Sequence, residues 1–166
     1  MAADNSFITN LKENFRRGDI VTRLLYINIG VFLVVTLVNI VLTLFNQPAG
    51  FWTNYLEFPA WWERFIRQPW SLFTYMFMHA NFQHIFFNMF AVWMFGRVLE
   101  QVWGPKRFLF YYILCGIGAG LIQEAVQYTE YLVSWSHYDG VDTGMGVIPM
   151  AEFLNRLNTV GASGAV

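Results

Sequence analysis

LLYINIGVFLVVTLVNIVLTLF, residues 24–45, decides how the rest of the chain reads. It holds no charged residue, and charge stays absent all the way from Arg23 to Glu57. Twenty-two consecutive, mostly apolar positions suffice for a helix to cross the hydrocarbon core, which takes about 20 residues. The preceding residues 1–23 mix Asp4, Glu13 and Asp19 with Lys12, Arg16, Arg17 and Arg23, and no small-residue cleavage site follows the apolar run. A removable signal peptide is therefore not expected, and residues 1–23 read as a polar segment outside the bilayer.

The same logic extends along the chain. Of 166 residues, 56% are hydrophobic and only 13% charged, with a mean hydropathy of +0.39, which is far from a soluble domain and implies a membrane protein. A second charge-free stretch from Gln68 to Gly96 predicts a helix over about 74–95. A third, between Arg107 and Glu124, predicts a helix over about 106–126, with Glu124 reaching the interface from near its end. Its Gly116 and Gly120 allow close helix packing. The chain then turns polar over 127–156, and a new apolar run starts near Leu157. Ten residues of helix span only about 15 Å, half the core, so the chain is expected to end inside a fourth helix. The fold class is all-α: a polytopic membrane helix bundle with three complete transmembrane helices and the start of a fourth, in a domain covering 24–166.

Basic residues orient it. Lys12, Arg16, Arg17 and Arg23 precede the first helix, and Arg97, Lys106 and Arg107 lie between the second and third, which is seven of the ten in the chain. The positive-inside rule then makes the N-terminus cytoplasmic. The first outside loop, 47–70, carries Phe51, Trp52, Tyr55, Trp61, Trp62 and Trp70 with few charges, a composition suited to the headgroup region. A net charge of −1 without a basic run gives nucleic acid nothing to bind. Cys115 is the only cysteine, which excludes an internal disulfide, makes a thiolate metal site implausible and suits apolar packing.

Three polar side chains at membrane depth need an explanation. His84 and Asn88 stand one helical turn apart and so share a face. Ser163 sits among small residues in Gly161-Ala-Ser-Gly-Ala-Val166. Helices two and four both enter from outside, so rises of about 1.5 Å per residue put His84 and Ser163 at similar depth, provided the helices touch. A serine nucleophile needs a base, and its oxyanion needs donors in a water-poor place, which His84, Asn88 and the Ser163 N–H can supply. Gly161 and Gly164 would let a substrate backbone approach. Equally, Gly161 and Ala165 form a small-xxx-small pattern that can be a packing seam, and His84 and Asn88 can simply hydrogen-bond across helices. Spacing alone does not decide.

The ordered set His79-Ala-Asn-Phe-Gln-His84-Ile-Phe-Phe-Asn88, then Gly96-Arg-Val-Leu-Glu100, then Gly161-Ala-Ser163-Gly164 resembles the rhomboid family of intramembrane serine proteases, over about 70–166. The resemblance implies that Ser163 is the nucleophile, that His84 and Asn88 stabilise the oxyanion, that Gly161 and Gly164 lie against the substrate, and that Trp70, Gly96 and Glu100 are structural. It implies a serine–histidine dyad whose base lies on a sixth helix, absent from this chain. His79 and His137 do not match that base, so the 166 residues are expected to be inactive alone. Its substrates would be transmembrane segments of other proteins, in the lipid of a bacterial cell membrane, with no cofactor. Metal binding is unsupported, since on one helix His79 and His84 would point about 140° apart.

Two departures stand out: rhomboids often carry Trp-Arg where this chain has Trp70-Ser71, and the 127–156 loop is long. Two other functions compete. A non-catalytic rhomboid-like binder of transmembrane clients would not need Ser163, His84 and Asn88 together. A channel or transporter would need more polar residues along helix three than Tyr111, Tyr112 and Gln123.

Overall fold

Asp19 starts the first long helix. Its backbone is extended, and its carboxylate accepts the Thr22 N–H at 2.7 Å, so the chain enters α1 (Ile20–Leu44) with one of its free amides satisfied. Two more, on Ile20 and Val21, donate to the two carboxylate oxygens of Glu100 at 2.8 and 3.0 Å. At the far end Asn46 takes a left-handed φ of 55°, Asn46 N–H bonds the Thr43 carbonyl and Gln47 N–H bonds that of Leu42, the pattern of a Schellman cap. The computed structural model describes residues 8–161 apart from 11, 14, 17, 49, 145 and 156.

After α1 the chain runs through a 3-10 turn (Thr53–Tyr55), a two-residue strand β1 (Phe58–Pro59), and two short helices, α2 (Trp62–Arg67) and α3 (Ser71–Thr74). Then come α4 (Phe82–Trp103) and α5 (Pro105–Glu130), which continues as a π turn to Trp135. A hairpin of β2 (Gly140–Asp142) and β3 (Val147–Pro149), a short α6 (Met150–Asn155) and a strand β4 (Asn158–Thr159) complete the described residues. β4 runs antiparallel to β1, with Phe58 opposite Thr159 and Pro59 opposite Asn158.

The bundle is held by α1, α4 and α5. Because Glu100 near the end of α4 caps the start of α1, the two are antiparallel. Gly104, at φ 81°, and Pro105 turn the chain straight back into α5. Gly96 lies where these helices meet: a Cβ there would come within 3.0 Å of Val21 and 3.1 Å of Phe108. The core comprises Val21, Leu24, Phe58, Tyr75, Met76, Ile85, Met89, Val92, Phe108 and Tyr112. Ile20–Leu44 and Pro105–Trp135 are each long and apolar enough to cross a membrane.

Several expected boundaries move. The helix expected over 74–95 begins at Phe82 and runs to Trp103. Residues 71–77 are a helical turn and a 3-10 turn, and Asn81 is an extended cap. Unbroken apolar character cannot separate a long helix from short pieces packed in protein. The 106–126 helix extends to Glu130 and beyond. Gly116 and Gly120 do admit close packing, but the partner is the 72–76 segment: a Cβ would collide with Met76 at the first and Leu72 at the second. The fourth helix does not begin at Leu157, because Asn158 and Thr159 spend their backbone groups on β1. Much of the 127–156 segment forms helix, π turn and hairpin, and it packs on the aromatic loop, with Trp61 edge-on to Tyr131 at 5.1 Å. Cys115 is exposed and not packed in the core.

Candidate active site

Asn81 builds the site's first half. Its side chain accepts the His84 N–H at 2.9 Å, which fixes the start of α4 and puts His84 in the first turn, with Asn88 one turn further on the same side. The Ala80 N–H points at His84 Nδ1 at 3.4 Å, a long bond that assigns the proton to Nε2. The buried His79 ring stands edge-on to the His84 ring, centroids 5.3 Å apart, and restricts its rotation. Asn88 is 5% exposed, and its Nδ2 has no hydrogen-bond partner among the described residues.

The second half comes from β4. Beyond its two paired residues, Gly161 N–H donates to the Tyr75 carbonyl at 2.9 Å, and Gly161 takes φ 121°, a conformation that favours glycine. A Cβ at this position would lie 2.6 Å from His84 Nε2 and 3.0 Å from Asn88 Nδ2. Two N–H donors on α4 therefore converge on the backbone at Gly161, in a place with no room for a side chain. Such paired donors, held in advance and shielded from water, are what a developing oxyanion requires.

The structure thus brings together His84, Asn88 and Gly161. Ser163 and Gly164 lie outside the described residues. Ahead of His84 the chain is not continuous helix: residues 78–80 are irregular and Asn81 is an extended cap. The 140° separation of His79 and His84 likewise fails, since His79 precedes α4 and the two rings touch. Among the described residues no three His, Cys, Asp or Glu side chains cluster as metal ligands. Gly96 lies at a helix contact and Glu100 caps the start of α1. Trp70 Nε1 donates to the Tyr55 carbonyl at 2.7 Å and ties the loop to itself. Ser71 is wholly buried, with Oγ donating to the Gln68 carbonyl at 2.6 Å. Asn81 and Tyr75 went unrecognised in the sequence; the Asn three residues before His84 is a cap signature that was available, whereas nothing marks the Tyr75 carbonyl.

Residues 66–166 match the Rhomboid domain. That is more than half of the chain. The chain belongs to the rhomboid family. This rhomboid is 28% identical over 109 residues to Rhomboid-like protein 11, chloroplastic, of Arabidopsis thaliana, covering 64% of this chain and 33% of that one. It is 35% identical over 107 residues to RHOMBOID-like protein 6, mitochondrial, of the same plant, covering 63% and 26%. To Rhomboid protease AarA of Providencia stuartii it is 37% identical over 70 residues, covering 42% and 22%. The chain spans about a third or less of the length of these relatives. The match includes α4, Gly161 and the residues around Ser163, so the two donors and the glycine backbone between them lie within the rhomboid domain.

Proposed function

We propose that this chain carries the nucleophile and oxyanion half of an intramembrane serine endopeptidase that cleaves transmembrane segments of other membrane proteins. Ser163 attacks the scissile carbonyl. His84 Nε2 and Asn88 Nδ2 donate to the resulting oxyanion, and Gly161 and Gly164 let the substrate backbone lie close. The observation that carries the reading is the convergence of those two donors on Gly161, two residues before the serine. The naming of AarA as a rhomboid protease supports it.

The base is expected on a helix outside these 166 residues, so the 166 residues alone should not hydrolyse substrate. Oxyanion donors without a base leave only a small residual rate. Orientation follows from Arg23, Arg97, Lys106 and Arg107, all at the end where α1 starts and α4 gives way to α5: that end faces the cytoplasm and the site opens near the outer face. Phe51, Tyr55, Trp62 and Ile66 are exposed at the opposite end, as suits a loop in the headgroup layer. α4, 22 residues long, completes a multi-pass arrangement in a bacterial membrane.

The test is cleavage of a transmembrane substrate, and labelling by a fluorophosphonate, in membranes containing the full-length protein. Both should vanish in Ser163→Ala and fall steeply in His84→Ala and Asn88→Ala. Labelling that survives Ser163→Ala would sink the assignment. Client binding that is retained in Ser163→Ala, with no cleavage by the unmodified protein, would favour the non-catalytic binder.

A further inference from the structure

The interfacial loop and β4 are joined by a polar cluster for which the oxyanion site has no need. Asn158, in β4, accepts from Arg64 Nη1 at 3.0 Å and donates through Nδ2 to Glu57 Oε2 at 2.8 Å and to Asn54 Oδ1 at 2.9 Å. Arg64 Nη2 also donates to the Asn54 carbonyl. Both capacities of one amide side chain are therefore used, by residues from three separate pieces of the loop: the 3-10 turn, the approach to β1, and α2. Burial pulls the Arg64 guanidinium below its ordinary value while Glu57 beside it pushes it back up.

Three residues beyond Asn158 comes Gly161, which packs so closely on α4 that a Cβ there would lie 2.6 Å from His84 Nε2. β4 is only two residues long, flanked by the bonds of Ala60 N–H to the Leu157 carbonyl at 3.0 Å and of Gly161 N–H to the Tyr75 carbonyl at 2.9 Å. A two-stranded ribbon of this length has little stability of its own. Side chains must fix its register, and Asn158 reaches out to three residues of the loop.

We propose that Arg64, Asn158 and Glu57 form a positioning clamp through which the interfacial loop sets the Gly161 backbone against His84 and Asn88. The proposal rests on the serine-protease reading above. None of the three touches substrate; they act through the placement of β4. Misplacing a reacting group by about 1 Å can cost on the order of a hundredfold in rate, so the clamp governs kcat more than KM.

The experiment uses the full-length protein in lipid nanodiscs, with cleavage kinetics on a transmembrane substrate and deuterium exchange of the peptide covering 157–163. Asn158→Ala should lower kcat at least about tenfold with KM within about twofold, and should speed exchange at Thr159 and Gly161. Glu57→Gln, which keeps an oxygen for the Asn158 amide, should stay close to the unmodified protein in both. Asn39→Ala, which removes the acceptor for Gly50 N–H and Trp52 Nε1–H and so loosens the loop elsewhere, separates positioning from stability. It should lower the melting temperature without matching the loss of kcat. Equal kcat and exchange in Asn158→Ala and the unmodified protein would overturn the clamp, as would kcat losses in Asn158→Ala and Asn39→Ala that simply track their melting temperatures. If the unmodified protein shows no Ser163-dependent cleavage, the protease reading fails, and the exchange comparison still decides whether the clamp holds β4.

Discussion

α1 and α4 lie side by side and have opposite characters. α1 is uncharged from Leu24 onward, yet only Val21, Leu24 and Asn28 are buried along its 25 residues, and Leu33 and Leu37 are about three-fifths exposed. α4 carries Gln83, His84, Asn88, Arg97 and Glu100, yet it buries Ile85, Asn88, Met89, Val92, Gly96 and Glu100 in a stripe of three- and four-residue steps. In lipid, apolarity marks what faces the acyl chains. The helix that holds the candidate site is the more polar one, and two of its polar groups, Asn88 and Glu100, are buried against protein.

The difference can be broken most severely at the site. Gly161→Ala forces a Cβ to 2.6 Å from His84 Nε2 at a left-handed φ, and should reduce substrate cleavage at least about a hundredfold while lowering stability by about 1–3 kcal/mol. Kinetics and a thermal melt on the same preparation check both. Next comes Glu100→Ala, which strips two acceptors from the start of α1. An expected cost of about 3 kcal/mol follows from losing hydrogen bonds to a charged group and leaving amides unpaired, and Glu100→Gln should recover part of it. Gly96→Val, pressed against Val21 and Phe108, should cost about 1–3 kcal/mol through overpacking.

Smaller effects sharpen the contrast. Asp19→Ala removes the N-cap of α1 and should cost about 1 kcal/mol. The Asp19 carboxyl lies below its ordinary value, chiefly because it accepts hydrogen bonds from Thr22. Its contribution is therefore complete above the unfolded carboxyl value of about 3.9 and is lost as pH falls through the lower folded value. Melts between pH 7 and pH 3 should show a loss that Asp19→Ala lacks. Leu37→Ala, on the lipid-facing side of α1, should change stability by less than about 0.5 kcal/mol. A loss comparable to that at Gly96 would mean that this face of α1 is covered by protein.

Much of this was legible in the sequence. The apolar run of α1 marked its span within a few residues, and the four-residue step from His84 to Asn88 put both on one side of α4. The close approach at Gly116 and Gly120 was readable as well, though not its partner, since nothing in the helix names the short 72–76 segment that fills the notch. Two of the illegible parts share a cause. The strand at Asn158 and Thr159 and the Tyr75 carbonyl under Gly161 both depend on backbone groups from distant parts of the chain, whereas the break at Asn81 is a local cap. An apolar window sees composition and is blind to such pairings. Glu100 was recognisable through family resemblance alone; its carboxylate reaches across to residues eighty positions earlier.

That reach has a bearing on how the protein is made. As the ribosome extrudes it, α1 arrives in the bilayer with two amides bare, and the carboxylate that quiets them is not synthesised until eighty residues later. Until α4 emerges and folds back, water at the membrane surface has to satisfy those two amides. The locking of the opening helix is thus a late event in biogenesis, timed by the arrival of the second.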